Sequence, residues 1–246
     1  MPAAISEDAL LGGRVRLRQP MAGFRAAIDP VFLAAAIPAG AGESVLDLGC
    51  GVGAASLCLL ARQAESRVTG LEIDGDLVKL ADANARLNGV SDRFLAIHGD
   101  VAKPPPRLAP GTFHHVMCNP PFLSAGVSKP LALASRDAAM REGAVVLADW
   151  VRLALIMARP QGSVTLIHRA DRLDAILATL SGQAGDISVY PLWPGAGKPA
   201  KRVIVRARKG VAAPACLCPG MILHQPDGGF SAAAEAVLRD AAALRF

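Results

Sequence analysis

The residues of this chain best placed to do chemistry are Asn119-Pro120-Pro121-Phe122, which follow the apolar run Phe113–Cys118. Both prolines lack a backbone N–H, fix their own φ and push the preceding residue toward extended conformation. The segment therefore reads as a rigid loop at the tip of a strand. It offers one side-chain amide, carbonyls with no competing N–H, and one ring. That is a set of acceptors beside a stacking plate, suited to a planar molecule bearing an amino group. Taken alone, a rigid turn ending in a core phenylalanine accounts for the same residues.

A second group begins at Asp47-Leu-Gly-Cys-Gly-Val-Gly53. Three glycines at alternate positions let the backbone pass close to a ligand and leave helix N–H groups free for it. Gly49, Gly51 and Ala54 also satisfy the dinucleotide pattern G-x-G-x-x-A, so this loop by itself leaves its cofactor open. Glu72 lies at the tip of the next strand, where a carboxylate accepts hydrogen bonds from both ribose hydroxyls. Asp47 would repel a pyrophosphate but suits an ammonium group. Asp100, at the end of the third strand, is a further acceptor, well placed for an adenine amino group. Ribose, adenine, an α-amino group and no phosphate describe S-adenosylmethionine. Capping of the following turn accounts for any one of these carboxylates; three at consecutive strand ends point to a ligand.

The elements that must hold these groups alternate regularly. Strands are expected at Ser44–Leu48, Arg67–Ile73, Phe94–His98, Phe113–Cys118, Ser163–His168, Ile187–Trp193 and Arg202–Arg206. Helices are expected from the glycine loop to about Arg62, through Asn88, and over Val145–Ala158, Asp171–Leu180 and Ser231–Leu244. Such alternation argues an α/β fold with a doubly wound, parallel sheet. Ahead of it, Leu11–Arg18 alternates apolar and basic residues, a strand with Arg14, Arg16 and Arg18 on one face. That face is either solvated or phosphate-facing. Asp29-Pro30 reads as an N-cap and first-turn proline for an apolar helix, Val31–Ile37.

Val45–Gly53, Gly70-Leu-Glu-Ile-Asp74, Gly99-Asp100 and Asn119–Phe122 together resemble the motifs of class I S-adenosylmethionine-dependent methyltransferases that act on exocyclic or amide nitrogens. Two further stretches are similar to segments of the bacterial tRNA adenine-N6 methyltransferases. These are Gln19…Gly23-Phe24…Asp29-Pro-Val-Phe-Leu33 and Pro226-Asp-Gly-Gly-Phe-Ser-Ala232. That family methylates the adenosine next to the anticodon of a valine tRNA. The resemblance implies a Rossmann-like, mostly parallel seven-stranded sheet over residues 41–246, with residues 1–40 as an N-terminal strand and helix extension. It assigns Asp47, Gly49, Cys50, Gly51, Gly53, Glu72, Ile73, Asp100, Val101 and Asn119 to the cofactor. Asn119, Pro120, Pro121 and Phe122 become the catalytic loop, with Phe122 where relatives often carry tyrosine. Asn119 Oδ1 and the Pro120 carbonyl would grip the N6 hydrogens and free the nitrogen lone pair, while Phe122 stacks on an unpaired base.

Composition permits this reading without demanding it. The chain has 246 residues, 52% of them hydrophobic and 4% aromatic, and a net charge of +5. That supports a large core and tolerates a nucleic-acid partner. Basic residues gather at Arg14–Arg25, at Lys129 to Arg141 and at Lys198–Lys209; Lys129, Arg136 and Arg141 are the expected phosphate contacts. Five cysteines suggest no disulfide framework, and Cys216-x-Cys218 lacks a fourth ligand for a metal. No leader or membrane span is legible, so a cytoplasmic protein is expected. A protein glutamine methyltransferase fits Asn-Pro-Pro-aromatic equally well. A non-catalytic S-adenosylmethionine- or RNA-binding module would be expected to show a degraded Asn119 or Pro120, and both are intact. A dehydrogenase would leave the proline motif unused.

Overall fold

The computed structural model describes residues 4–22, 25–121, 123–124, 141–142 and 145–246. Phe122, Lys129 and Arg136 lie outside the described residues, and of Arg141 only the backbone is described.

The chain opens with an antiparallel hairpin, β1 (Ile5–Leu10) and β2 (Val15–Pro20), followed by α1 (Asp29–Ala36). Then come β3 (Ser44–Leu48), α2 (Ala54–Arg62), β4 (Arg67–Glu72), α3 (Gly75–Leu87), β5 (Phe94–His98) and β6 (Phe113–Cys118). Two-residue strands β7 (Leu123–Ser124) and β8 (Arg141–Glu142) pair with each other. The second half contains α4 (Leu147–Met157), β9 (Ala158–Arg169), α5 (Leu173–Leu180), β10 (Ala184–Trp193) and β11 (Arg202–Lys209). Short strands β12 (Cys216–Leu217) and β13 (Met221–Ile222) precede α6 (Ala232–Leu238).

One sheet runs in the order β12-β10-β11-β9-β6-β3-β4-β5, with β13 also on β10. Its body is the seven expected strands; β12 and β13 extend the β10 edge. The strands from β5 to β9 are parallel, and only β11 runs against its neighbours. Central parallel strands are covered on both faces and so read as unbroken apolar runs. In β3, for example, Val45, Leu46 and Leu48 are all buried. The hairpin, α1, α2 and α6 contribute to the core on one face. Helices α4 and α5 cover the other. The sheet is doubly wound, as the alternation predicts.

Three local departures have plain causes. The expected strand at residues 11–18 is instead the second arm of a hairpin, because Gly12 and Gly13 turn at φ 63° and 94°. A Cβ on Gly12 would also lie 2.9 Å from the Arg239 carbonyl. The alternation itself holds: Val15, Leu17 and Gln19 are buried, whereas Arg16 and Arg18 are exposed and bonded to Glu7 on β1. Asp29 does not cap α1. It sits inside the first turn, and its carboxylate accepts from Arg202 Nε at 3.0 Å, tying α1 to β11. The C-terminal helix ends at Leu238, and the tail turns back so that the Leu244 N–H reaches the Ala35 carbonyl at 2.8 Å.

Outside the sheet, α3 clamps the hairpin. Asn84, fully buried, accepts from the Arg18 N–H at 2.8 Å and donates to the carbonyls of Arg18 and Val52 at 2.9 and 3.0 Å. Asn88, one turn later, bonds the N–H and carbonyl of Arg16. The hairpin edge is thus paired by side chains, which removes an exposed strand edge. Among the described residues, no helix is long and apolar enough to cross a membrane.

Candidate active site

A parallel sheet delivers the C-terminal ends of its strands to one edge, where ligands of such folds bind. Here that edge carries the glycine loop after β3, Glu72 ending β4, Asp100 after β5 and Asn119 after β6. The cofactor residues expected from the sequence, and Asn119 with its prolines, are therefore brought to one edge.

The loop bends through Gly49, Gly51 and Gly53, all with positive φ (69°, 56° and 86°). Its first two N–H groups, of Gly49 and Cys50, donate to the Leu71 carbonyl at 2.8 and 3.1 Å, which seats the loop on β4. The Gly51 N–H then donates to Glu72 Oε2 at 2.9 Å, and the Asp74 N–H to Oε1 at 2.9 Å. Glu72 is thereby oriented by backbone on both oxygens, with lone pairs left over. Burial raises its pKa, and the three backbone donors Asp74, Gly51 and Ile73 oppose that rise. The Cys50 side chain turns down onto Gly70, where an added Cβ would lie 2.5 Å from the sulfur. Burial pushes its thiol pKa well up, so Cys50 serves the cradle as packing and backbone.

Asp47 is enclosed at the base of the loop, only 2% exposed. Its carboxylate accepts from Ser56 Oγ at 2.7 Å. Burial pushes its pKa up to about 7; the Ser56 bond opposes this and the Glu72 charge adds to it. At the next strand tips, Ile73 stands 63% exposed, an apolar wall with no cover. Asp100 accepts from the Ala102 N–H at 2.8 Å in a tight turn, and Val101 packs on the lower core.

Asn119 emerges between β3 and β9, because Cys118 pairs with both Leu48 and Leu166. Its Oδ1 is buried and has no hydrogen-bond partner among the described residues. Native structures rarely leave such an acceptor unsatisfied, since it costs about 1–3 kcal/mol. Pro120 is buried beside it, and His168 at the end of β9 is fully buried. Burial lowers the His168 pKa to about 4, against the opposing hydrogen bond to the Pro121 carbonyl. A neutral imidazole thus braces the proline loop from below.

Four of these positions carry no motif. Ser56, Asn84 and His168 read as ordinary helix and strand residues. Trp150 reads as core in an apolar helix, yet its ring lies where a Cβ on Gly49 would sit, 2.7 Å away, and so walls the glycine loop. The one available signal was that Trp150 is one of two tryptophans in the chain.

A family model described as the methyltransferase small domain matches residues 27–171. Among curated proteins, a tRNA1(Val) (adenine(37)-N6)-methyltransferase of Porphyromonas gingivalis is 32% identical over 133 residues, 53% of this chain and 51% of that protein. An rRNA N(6)-adenosine-methyltransferase of Caenorhabditis elegans is 28% identical over 136 residues, 55% and 56% of the two chains. The chain thus spans about half the length of these curated relatives. Among solved structures, a predicted O-methyltransferase from Agrobacterium tumefaciens superposes with a TM-score of 0.73 at 25% identity, covering 88% of this chain and 98% of that one. With its glycine cradle, its oriented carboxylate and its match over residues 27–171, the chain belongs to the methyltransferase small domain family and has the Rossmann-like fold of S-adenosylmethionine-dependent methyltransferases.

Proposed function

We propose that this protein transfers the methyl group of S-adenosylmethionine to the N6 amino group of an adenine in RNA. The observation that carries the reading is the buried Oδ1 of Asn119, unpartnered among the described residues and one strand from the glycine cradle. It is an acceptor held without a donor, which suits an incoming amino group. The names of the relatives, adenine-N6 methyltransferases of tRNA and rRNA, support the same acceptor.

The residues present fit the cofactor. Glu72 keeps lone pairs for the ribose hydroxyls, Ile73 and Val101 flank the place for adenine, and Asp100 retains an oxygen for its amino group. The glycine loop, with Asp47 at its base, takes the methionine part. The cofactor supplies an electrophilic methyl on a sulfonium. The chain supplies position: Asn119 Oδ1 and the Pro120 carbonyl accept the two N6 hydrogens and draw the nitrogen out of conjugation. Phe122 stacks on the base, and most of the rate comes from alignment. No side chain need act as base, because the methylated ammonium is itself strongly acidic.

Within this reading, residues 1–40 are an extension to a catalytic domain of residues 41–246. The substrate is the adenosine next to the anticodon of a valine tRNA, and the protein works in the cytoplasm. Lys129, Arg136 and Arg141 approach phosphates. The test is labelled methyl donor offered to unmodified tRNA and, separately, to ribosomal and release-factor protein. N6-methyladenosine in the digested RNA is the expected product; label on a glutamine side chain instead would overturn the assignment.

A further inference from the structure

A cavity of about 890 Å³ lies away from the Asn119 loop. Its walls are Tyr190 and Trp193 of β10, Lys198 of the following loop, and Met221 and Ile222 of β13. It is built for its shape. Trp193 Nε1 donates to the Pro219 carbonyl at 3.1 Å, which fixes the indole plane. Gly220, at φ 77°, is needed there, because a Cβ would lie 2.2 Å from the Pro191 carbonyl and 2.8 Å from that indole nitrogen. The Lys198 stem folds along Gly195, with its carbons 3.5 to 3.7 Å from where a Cβ would be.

Three facts choose the occupant. First, the lining contains an aromatic plate, an apolar floor and a lysine rim, with no carboxylate among its described residues, so it complements a flat, anionic ligand. Second, it opens on the catalytic edge. β10 runs antiparallel to β11, β11 antiparallel to β9, and β9 parallel to β6, so the C-terminal end of β10 points the same way as that of β6. Three strand spacings separate them, about 14 Å, a span of a few nucleotides of single strand. Third, the ground between holds cations beyond its ion pairs, in which Arg169 and Arg202 are bonded to Asp171 and Asp29. Lys201 lies there, its carbonyl accepting from Ala170 just past β9 at 3.2 Å. Lys198 and Lys201 are exposed and form no ion pair among the described residues.

We infer that this cavity is a second nucleobase site, which stacks a base a few nucleotides from the methylated adenine on Trp193 and holds its phosphates on Lys198 and Lys201. The inference rests on RNA being the substrate. It assigns RNA register to the β10 edge of the sheet, a place remote from the methyl-transfer loop.

The test measures binding and methylation of an unmodified tRNA transcript by the full chain and by Trp193→Ala, Trp193→Phe and Lys198→Ala/Lys201→Ala. Loss of one stacked base should weaken RNA binding by roughly tenfold in Trp193→Ala. Trp193→Phe should restore most of it, which excludes a folding defect. The double lysine variant should flatten the salt dependence of log K by about two. Affinity for S-adenosylmethionine should be unchanged throughout, and the loss should appear in KM for the transcript rather than in kcat. If the wild type methylates RNA and all variants bind it equally, the second site is wrong while the function stands. If the wild type methylates protein and Trp193→Ala impairs that reaction, the pocket holds a peptide and both readings fall.

Discussion

The Gly51 N–H donates to Glu72 Oε2 at 2.9 Å, so the glycine loop of one strand is locked to the carboxylate ending the next. The bond spans 21 residues of sequence and couples the shape of the cradle to the group that would hold ribose. Glu72→Gln keeps the volume but must oppose an NH₂ to a backbone donor, Gly51 on one oxygen or Asp74 on the other. Affinity for S-adenosylmethionine should fall at least tenfold, with a stability loss of about 1–3 kcal/mol. Calorimetric titration checks this, and an unchanged Kd would contradict it.

Asn119 gives an unusual pairing of effects. Because its Oδ1 has no partner among the described residues, removing it relieves a buried acceptor instead of breaking a bond. Asn119→Ala should leave Tm unchanged or raised and cofactor binding intact. Methylation should fall by two orders of magnitude or more, since loss of one oriented polar contact in a transition state costs about 3 kcal/mol. A destabilised variant with normal turnover would show that Asn119 is structural.

Two buried groups should set opposing slopes of stability with pH. Asp47, raised to about 7, keeps a proton in the folded chain that the unfolded chain loses near pH 4. Stability therefore falls as pH rises from about 4 to 7, by up to about 4 kcal/mol. His168, lowered to about 4, stays neutral while the unfolded chain takes up a proton below about 6.5. Its contribution is full above about 6.5 and is lost as pH falls toward 4, by about 3 kcal/mol. Asp47→Asn should unmask a rising profile and His168→Gln a falling one. Denaturant midpoints from pH 4 to 8 read this directly; variants that track the wild type would refute it.

Asn84 joins three backbone groups that no helix or sheet ladder satisfies. Asn84→Ala should cost about 2–4 kcal/mol, the sum of three modest bonds and a lost buried donor. Amide exchange at Arg18 should rise in step, as the hairpin loosens from α3. Protection unchanged at Arg18 would mean that packing alone holds the hairpin.

Much of the molecule was legible before folding. The seven strands, the glycine turn and the carboxylates at strand tips follow from periods, caps and φ requirements within about ten residues. The errors came where distant partners decide. Asp29 looks like a cap, but Arg202, 173 positions away, takes its carboxylate. The hairpin arm Ile5–Leu10 is half polar, with Ser6, Glu7 and Asp8 in a row, and becomes a strand because β2 pairs with it. Strands β12 and β13 are two residues each, too short to show a period, and exist because β10 offers an open edge.

The sequence by itself determined which atoms are available: three turning glycines, a carboxylate per strand end, an amide followed by two prolines. Those are properties of residue type and local spacing. Only the tertiary structure decided which of these atoms are already engaged. Glu72 is oriented by Gly51, Asp47 is enclosed with Ser56, Gly49 is roofed by Trp150, and Asn119 Oδ1 is left waiting. Burial and pairing depend on neighbours brought together by the sheet: the motif offers acceptors for an amino group, and the fold leaves one of them open among the described residues.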